Sequence, residues 1–322
     1  MRKGTFCFFL FLLLTLLFLL FLGRVKPEPP ADVRQRPGCN VTEETVCIEG
    51  LSKEYDLLFL TDSHVVIPDE DAEEAVAEYA GQRYPTFVNK DGVDARTQFE
   101  ALIDYANDRK VDAVLLGGDI IDAPSEADLA FLEEQLDRLE MPCLYVPGNH
   151  DWTYPWEYMT QAGREEYLPR LEPFMQGNTA FQLLDFGEFR IVGVNDSANR
   201  VEGAALSGFE RLYGEGEPMI VMTHVPFLTQ SVLSRAREVW SGGVVIGGGA
   251  YGGIYPDETS QRFLELLTAQ DSPVELVLAG HVHFYDRDVI AGEKEVLQIV
   301  GAAGYEGNAI LLHVRGREGS AE

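Results

Sequence analysis

CLYVPGNHDW (Cys143 to Trp152) begins as an apolar run that reads as a buried strand. Past Pro147 and Gly148 it delivers three polar residues in a row, Asn149, His150 and Asp151. Polar side chains at the end of a core strand are costly to desolvate unless each finds a partner. The same grammar recurs along the chain. YDLLFL (55–60) runs into TDSH (61–64), VDAVLL (111–116) into GGDIID (117–122), MIVM (219–222) into THVP (223–226), and VELVLA (274–279) into GHVH (280–283).

Helical patterns separate the first three strands. ARTQFEALIDYANDRK (95–110) puts Phe99, Leu102, Ile103 and Ala106 on one face. SEADLAFLEEQLDRLE (125–140) offers Ser125 as N-cap and a stripe of Leu129, Leu132, Leu136 and Leu139. Alternation of strand and helix predicts a parallel sheet with right-handed crossovers. The second half is richer in strands (AFQLLDF, FRIVGV, MIVM, VELVLAG, EVLQIVG and AILLHV) and predicts a second, mostly antiparallel or mixed sheet packed on the first. The fold class is therefore α/β, two packed mixed β-sheets flanked by helices. In α/β sheets ligands bind beyond the strand carboxyl ends, which is where all five polar clusters fall.

Five of the six histidines of the chain lie in those clusters. Asp62-x-His64 and His281-x-His283 have the i, i+2 spacing that puts two side chains on one side of an extended backbone. Carboxylate oxygen together with imidazole nitrogen suits Mn, Fe or Zn rather than Mg or Ca. Gly117, Gly118, Gly148 and Gly280 permit tight turns close to such a site.

Taken in order, the clusters resemble the signature of the calcineurin-like metallophosphoesterases: D-x-H, G-D-x-x-D, G-N-H-[DE], a lone histidine, then G-H-x-H. A single G-D or G-H carries almost no information, but the full ordered set, over about residues 55–315, is highly specific. The resemblance implies a four-layer sandwich holding two divalent or transition metal ions. Asp62, His64 and His283 would hold one ion, Asn149, His224 and His281 the other, and Asp119 would bridge them. His150 would stabilise or protonate the leaving oxygen, with Asp151 orienting its ring. The implied reaction is hydrolysis of a small phosphorylated substrate (phosphodiester, pyrophosphate or phosphomonoester) by a metal-bound hydroxide, since two ions about 3.5–4 Å apart clamp both attacking and leaving oxygens. The G-N-H-D form points to the phosphodiesterase-like branch and so to a diester or pyrophosphate ahead of a monoester.

Other polar features have plainer readings. Asp122 is expected to make a structural hydrogen bond, Asp196 to sit in a turn, and His313 to pack in a late strand. Trp152, Tyr251 and Tyr255 are either pocket-lining or core and surface aromatics. GGGAYG (247–252) matches G-x-G-x-x-G, but Pro256 follows and no helix opens on it, so a dinucleotide site is rejected; the glycine-rich stretch 241–258 is a lid or an irregular loop. PDEDAEEAVAEYAGQRYP (68–85) is an acidic helical insertion. These two insertions are the expected specificity elements.

The formal charge is −28, and the only charges in the first 26 residues are Arg2, Lys3, Arg24 and Lys26, leaving −32 on the rest. A polyanion would be repelled from such a body, which argues against a nuclease, while a metal cluster reverses the sign locally. Thr5 to Leu22 is uncharged and dominated by Leu and Phe. It is long for a secretory signal and lacks a small-x-small cleavage site, so it reads as an uncleaved signal anchor with the catalytic part outside the cytoplasm. The expected organisation is an anchor (1–23), a proline-rich tether (24–52), the catalytic domain (53–316) and a tail (317–322). Cys39 and Cys47 in the tether read as a disulfide ahead of two free thiols. Asn40-Val41-Thr42 is a glycosylation sequon. The rival class is a non-catalytic surface binding module that kept the fold, and a lost ligand would have supported it.

Overall fold

A computed structural model describes residues 38–69, 72–153, 160–241, 244, 246 and 257–316. The expected anchor, the first part of the tether, most of the glycine-rich stretch with Tyr251 and Tyr255, and the tail lie outside the described residues. Among the described residues no helix is long and apolar enough to cross a membrane.

The elements follow as β1 (Asn40–Ile48), β2 (Tyr55–Leu60), α1 (Glu74–Arg83), α2 (Ala95–Arg109), β3 (Ala113–Leu116), α3 (Glu126–Asp137), β4 (Cys143–Tyr145), α4 (Gln161–Tyr167), β5 (Phe181–Asp185), β6 (Arg190–Val194), α5 (Gly203–Tyr213), β7 (Met219–Met222), α6 (Gln230–Val239), α7 (Glu258–Leu267), β8 (Val274–Ala279), β9 (Asp286–Ile290), β10 (Val296–Val300) and β11 (Asn308–Gly316). One sheet has the order β1-β11-β2-β3-β4 and the other β5-β6-β7-β8-β10-β9. β2, β3 and β4 are mutually parallel, as the alternating pattern predicts. The second sheet is mixed: β6, β7, β8 and β10 run parallel, with β5 and β9 antiparallel at its edges. AILLHV, read with the second sheet, is instead β11 of the first, antiparallel to β2.

Alternation along each strand builds the layers. Leu57 and Phe59 of β2, with Ala113, Leu115 and Leu144, meet Ile191, Ile220, Met222, Leu276 and Ile299 of the opposite sheet in the central core. Leu58, Leu60, Val114 and Leu116 face the other way and pack on Phe99, Leu102, Ile103 and Ala106 of α2. Val192, Val221 and Val277 of the second sheet pack on Phe209 of α5 and Phe263 of α7. The result is helix, sheet, sheet, helix.

Three sequence expectations need correction. The tether does not reach residue 52: Asn40–Ile48 is a nine-residue strand parallel to β11, with Val46 and Ile48 buried. Its many exposed Thr and Glu side chains are those of an edge strand, and by composition alone they resemble a linker. Cys39 and Cys47 are free thiols. They sit at opposite ends of that extended strand, about 26 Å apart at ~3.3 Å per residue, far beyond the ~7 Å limit for a disulfide. In α3, Ser125 does cap the helix by accepting from the Asp128 N–H, but the buried face is Asp128, Phe131, Leu132 and Gln135. Leu129, Leu136 and Leu139 are half-buried at its flank.

Candidate metal centre

The carboxyl ends of β2, β3 and β4 from one sheet and of β7 and β8 from the other converge on one cluster. The ligand-type atoms of Asp62, His64 and His283 lie within 4.8 Å of one another, and so do those of Asp119, His224 and His281. Asp119 Oδ2 stands between the groups, 3.7 Å from His64 Nε2 and 3.2 Å from His224 Nε2. His283 Nε2 is 3.4 Å from Asp62 Oδ1 and 3.0 Å from His64 Nε2. Asn149 is buried with Oδ1 unpartnered, and His281 Nε2 is likewise without a partner. Six of the seven residues expected as ligands are thus brought together here, and the seventh, Asn149, follows Gly148, whose backbone lies against Gly118 and Asp119.

The local backbone differs from the expected extended strand ends. Asp62, His64, Asp119, His281 and His283 have φ of 53°, 44°, 52°, 71° and 61°. Non-glycine residues avoid this left-handed region, and strained backbone of this kind gathers at functional sites. Cross-links hold it in place: Asp62 N–H donates to Gly118 O at 2.9 Å, His64 N–H to Asp119 O at 2.9 Å, and His281 N–H to Asp62 Oδ2 at 2.9 Å. Two glycines are sterically required. A Cβ on Gly148 would stand 2.2 Å from Asp119 Oδ1, and one on Gly118, at φ +92°, 2.5 Å from His224 Nδ1.

The tautomers follow from the outer partners. His64 Nδ1 donates to Asp122 Oδ1 at 3.0 Å and His224 Nδ1 to Gly117 O at 2.8 Å, so each ring turns its Nε2 lone pair inward. Burial pushes His64 down to about 4 and, with His224 nearby, His281 down to about 3, which keeps both rings neutral. Burial also disfavours charge on His224, yet Asp119 facing its Nε2 raises it to about 10. That preference for a proton marks the gap between Nε2 and Asp119 as a place that demands positive charge. Inward lone pairs, two orphaned acceptor atoms and carboxylates held ionised (Asp119 well below its ordinary range despite burial, by His224 and His150) form a donor set that fits metal cations.

His150 is placed differently from what the resemblance implies. The carboxylate against its ring is Asp122, with Oδ1 2.9 Å from His150 Nδ1. Asp151 instead accepts backbone N–H groups from Asp119, Ile120, Ile121 and Gly148, pinning the two ligand-bearing turns together. Its burial, with Asp119 nearby, pushes it up to about 6. The reason is geometric: adjacent side chains diverge, and Asp122 reaches the ring from the segment that follows β3. Asp122 also holds His64 and Arg83, so its hydrogen-bonding role is wider than the sequence showed. Asp196 accepts from the His224 and Val225 N–H groups, setting the turn after β7. Trp152 is core, with Nε1 donating to Ser197 Oγ at 2.8 Å. His313 lies outside the site, bonded to Asp56 at 2.8 Å. Phe87, Trp240 and Tyr305 surround the ligand histidines, and no sequence signal marked them.

Residues 55–285 match the calcineurin-like phosphoesterase family. A protein of Helicobacter pylori named "Uncharacterized metallophosphoesterase" is 26% identical over 222 residues, which is 67% of this chain and 50% of that protein. A Synechococcus protein named "Probable cyclic nucleotide phosphodiesterase" is 27% identical over 176 residues, 54% of this chain and 59% of that one. The chain thus spans about half the length of the first of these relatives. A crystal structure of a dimetal phosphatase from Danio rerio aligns with a TM-score of 0.47 at 13% identity, covering 78% of this chain and 88% of that one. With the ordered motifs, the two packed sheets and a match over most of its length, the chain belongs to the calcineurin-like phosphoesterase family.

Proposed function

We propose that this chain is a two-metal phosphohydrolase acting on a small phosphodiester or pyrophosphate. One ion would be held by Asp62, His64 and His283, the other by Asn149, His224 and His281, with Asp119 available to both. The observation that carries the reading is Asp119 Oδ2 standing between two groups of ligand-type atoms, 3.7 Å from His64 Nε2 of one and 3.2 Å from His224 Nε2 of the other. Divalent ions at such a pair of sites supply Lewis-acid stabilisation of phosphoryl charge and a nucleophile from water near neutral pH. The chain's own residues do the rest. His150 donates from Nδ1 to Asp122, which leaves Nε2 to hold a proton for the leaving oxygen. Burial of Asp62, Asp119, His64 and His224 excludes bulk water, and His283, whose side chain is 18% exposed, marks the open side where an ester enters. The name of the Synechococcus relative supports a diester ahead of a monoester. The uncharged stretch Thr5 to Leu22 supports attachment to a membrane, with the catalytic body outside the cytoplasm.

The test is hydrolysis of bis-p-nitrophenyl phosphate and p-nitrophenyl phosphate by the full chain with Mn²⁺, alongside elemental analysis of protein purified without chelator. About two metal ions per chain and faster cleavage of the diester are expected. Full activity after exhaustive chelation overturns the metal reading, and faster cleavage of the monoester overturns the diester reading. Recovery of the activity in carbonate-washed membranes is expected, and its release into the wash overturns the anchor.

A further inference from the structure

The acidic insertion between β2 and α2 touches the metal centre twice. Arg83, the last residue of α1, forks onto Asp122: Nε to Oδ2 at 2.6 Å and Nη2 to Oδ1 at 2.8 Å. Its guanidinium lies over the Phe87 ring, 4.9 Å from the centroid. Phe87 in turn stacks on the imidazole of His64, with centroids 4.5 Å apart and planes 3° from parallel. Asp122 Oδ1 is the atom that receives both His64 Nδ1, at 3.0 Å, and His150 Nδ1, at 2.9 Å. One short segment therefore grips the carboxylate behind both rings and covers the face of one of them.

Resting on the two-metal phosphoesterase reading, we propose that Arg83 is a positioning residue for His64 and His150 together. Asp122 is heavily subscribed. Oδ1 faces His64, His150 and Arg83, while Oδ2 takes Arg83 and the Tyr79 hydroxyl at 3.3 Å. A carboxylate offers about four lone-pair sites, and its terminal torsion is soft. An Asp122 free to rotate would serve one imidazole at the expense of the other. A planar guanidinium bonded to both oxygens fixes the carboxylate plane, and through it the direction in which each Nε2 points. Lysine supplies the charge but not the plane. The inserted helix is itself lightly anchored, with Ala80 its one buried residue. The clamp thus joins a peripheral element to the reacting centre.

The test compares the full chain with Arg83→Ala, Arg83→Lys and Phe87→Leu. Metal-stripped protein competes for Zn²⁺ against a chromophoric chelator, and kcat and KM are measured on bis-p-nitrophenyl phosphate and on an ester with an alkyl leaving group. Arg83→Ala is expected to bind Zn²⁺ about 10–100-fold more weakly, the range for loss of a group supporting a metal ligand. It should lower kcat with little change in KM, and more on the alkyl ester, which needs the proton from His150. Arg83→Lys should stay close to Arg83→Ala. Phe87→Leu should weaken Zn²⁺ binding and leave the ratio between the two esters at the parental value. Parental Zn²⁺ affinity in Arg83→Ala overturns the proposal, as does a raised KM with kcat intact, which would mark Arg83 as a direct phosphate contact. If Arg83→Ala lacks a cooperative thermal transition, Arg83→Lys decides: a folded variant with parental affinity and kcat overturns it. If the parent cleaves neither ester the phosphoesterase reading fails, and the Zn²⁺ competition still decides whether Arg83 positions His64.

Discussion

Asn149, His150 and Asp151 leave β4 side by side and go to three different neighbours. Asn149 keeps a buried amide oxygen without a partner, His150 rests on Asp122, and Asp151 collects backbone N–H groups. The ligand-type atoms of His150 also lie within 4.8 Å of those of His64 and Asp119, so the proposed proton-donor role is tested against metal binding by substitution. Replacing it by Ala should leave metal content at the parental value while lowering kcat by about 10²–10⁴-fold, the usual range for a lost general acid. The loss should be smaller on p-nitrophenyl esters, whose leaving group needs little protonation. Asp119→Ala should behave otherwise, losing metal and activity together, because its carboxylate faces both groups. Elemental analysis beside steady-state kinetics separates the two, and metal loss in His150→Ala would show that the ligand set is wrongly drawn.

α3 shows how a polar residue on the buried side of a helix locks an element to the site. Asp128 accepts from the Ile67 N–H at 2.7 Å through one oxygen and from the Ser125 hydroxyl at 2.6 Å through the other. That ties the helix start to the chain just beyond His64. Burial pushes the Asp128 carboxyl up to about 7, against an ordinary value of 3.8. The folded state thus holds this proton more tightly than the unfolded chain. Its contribution to stability is complete below about pH 4 and is lost as pH rises through about 7. Asp128→Asn keeps the acceptor for Ile67 and removes the buried charge. It should match the parent in stability near pH 4 and exceed it by about 1–2 kcal/mol at pH 8. Denaturant midpoints across that range check the sign, and parallel curves for the two proteins would refute it.

At the scale of the molecule, two sheets that share a core also share a site, since candidate ligands beyond β2 and β3 meet candidate ligands beyond β7 and β8. Metal bound across them favours the folded state over the unfolded chain. At a free metal concentration of 100 times Kd this linkage is worth about 2.7 kcal/mol, which at this size raises Tm by roughly 4–5 °C. Chelation should lower Tm by that amount, and the midpoint should climb again with the logarithm of added Mn²⁺. A Tm indifferent to chelator would mean that the two sheets are not bridged by metal. With −28 on the chain, cations bound in the centre would also relieve self-repulsion among its carboxylates.

What the sequence determined by itself was local and repetitive. Apolar runs, the faces of α2, the Ser125 cap and five polar clusters at strand ends are each written in a dozen residues, and the Asp and His ligand candidates those clusters offer, Asp62, His64, Asp119, His224, His281 and His283, meet in one place. Other features were decided only in three dimensions. β1 is a strand because β11, some 270 residues later, supplies its ladder from Asn40↔Asn308 onward, and nothing within Asn40–Ile48 announces that partner. The left-handed backbone at Asp62, His64, Asp119, His281 and His283 is imposed by hydrogen bonds between turns, against the preference of each residue. The carboxylate behind His150 is Asp122 rather than its chain neighbour Asp151, and Asp122 is itself held by Arg83, 39 residues earlier. Hydrophobic period and capping act within a few residues and so are legible one segment at a time. Which carboxylate faces which ring depends on how two turns are pressed together, and only the packed sheets settle that.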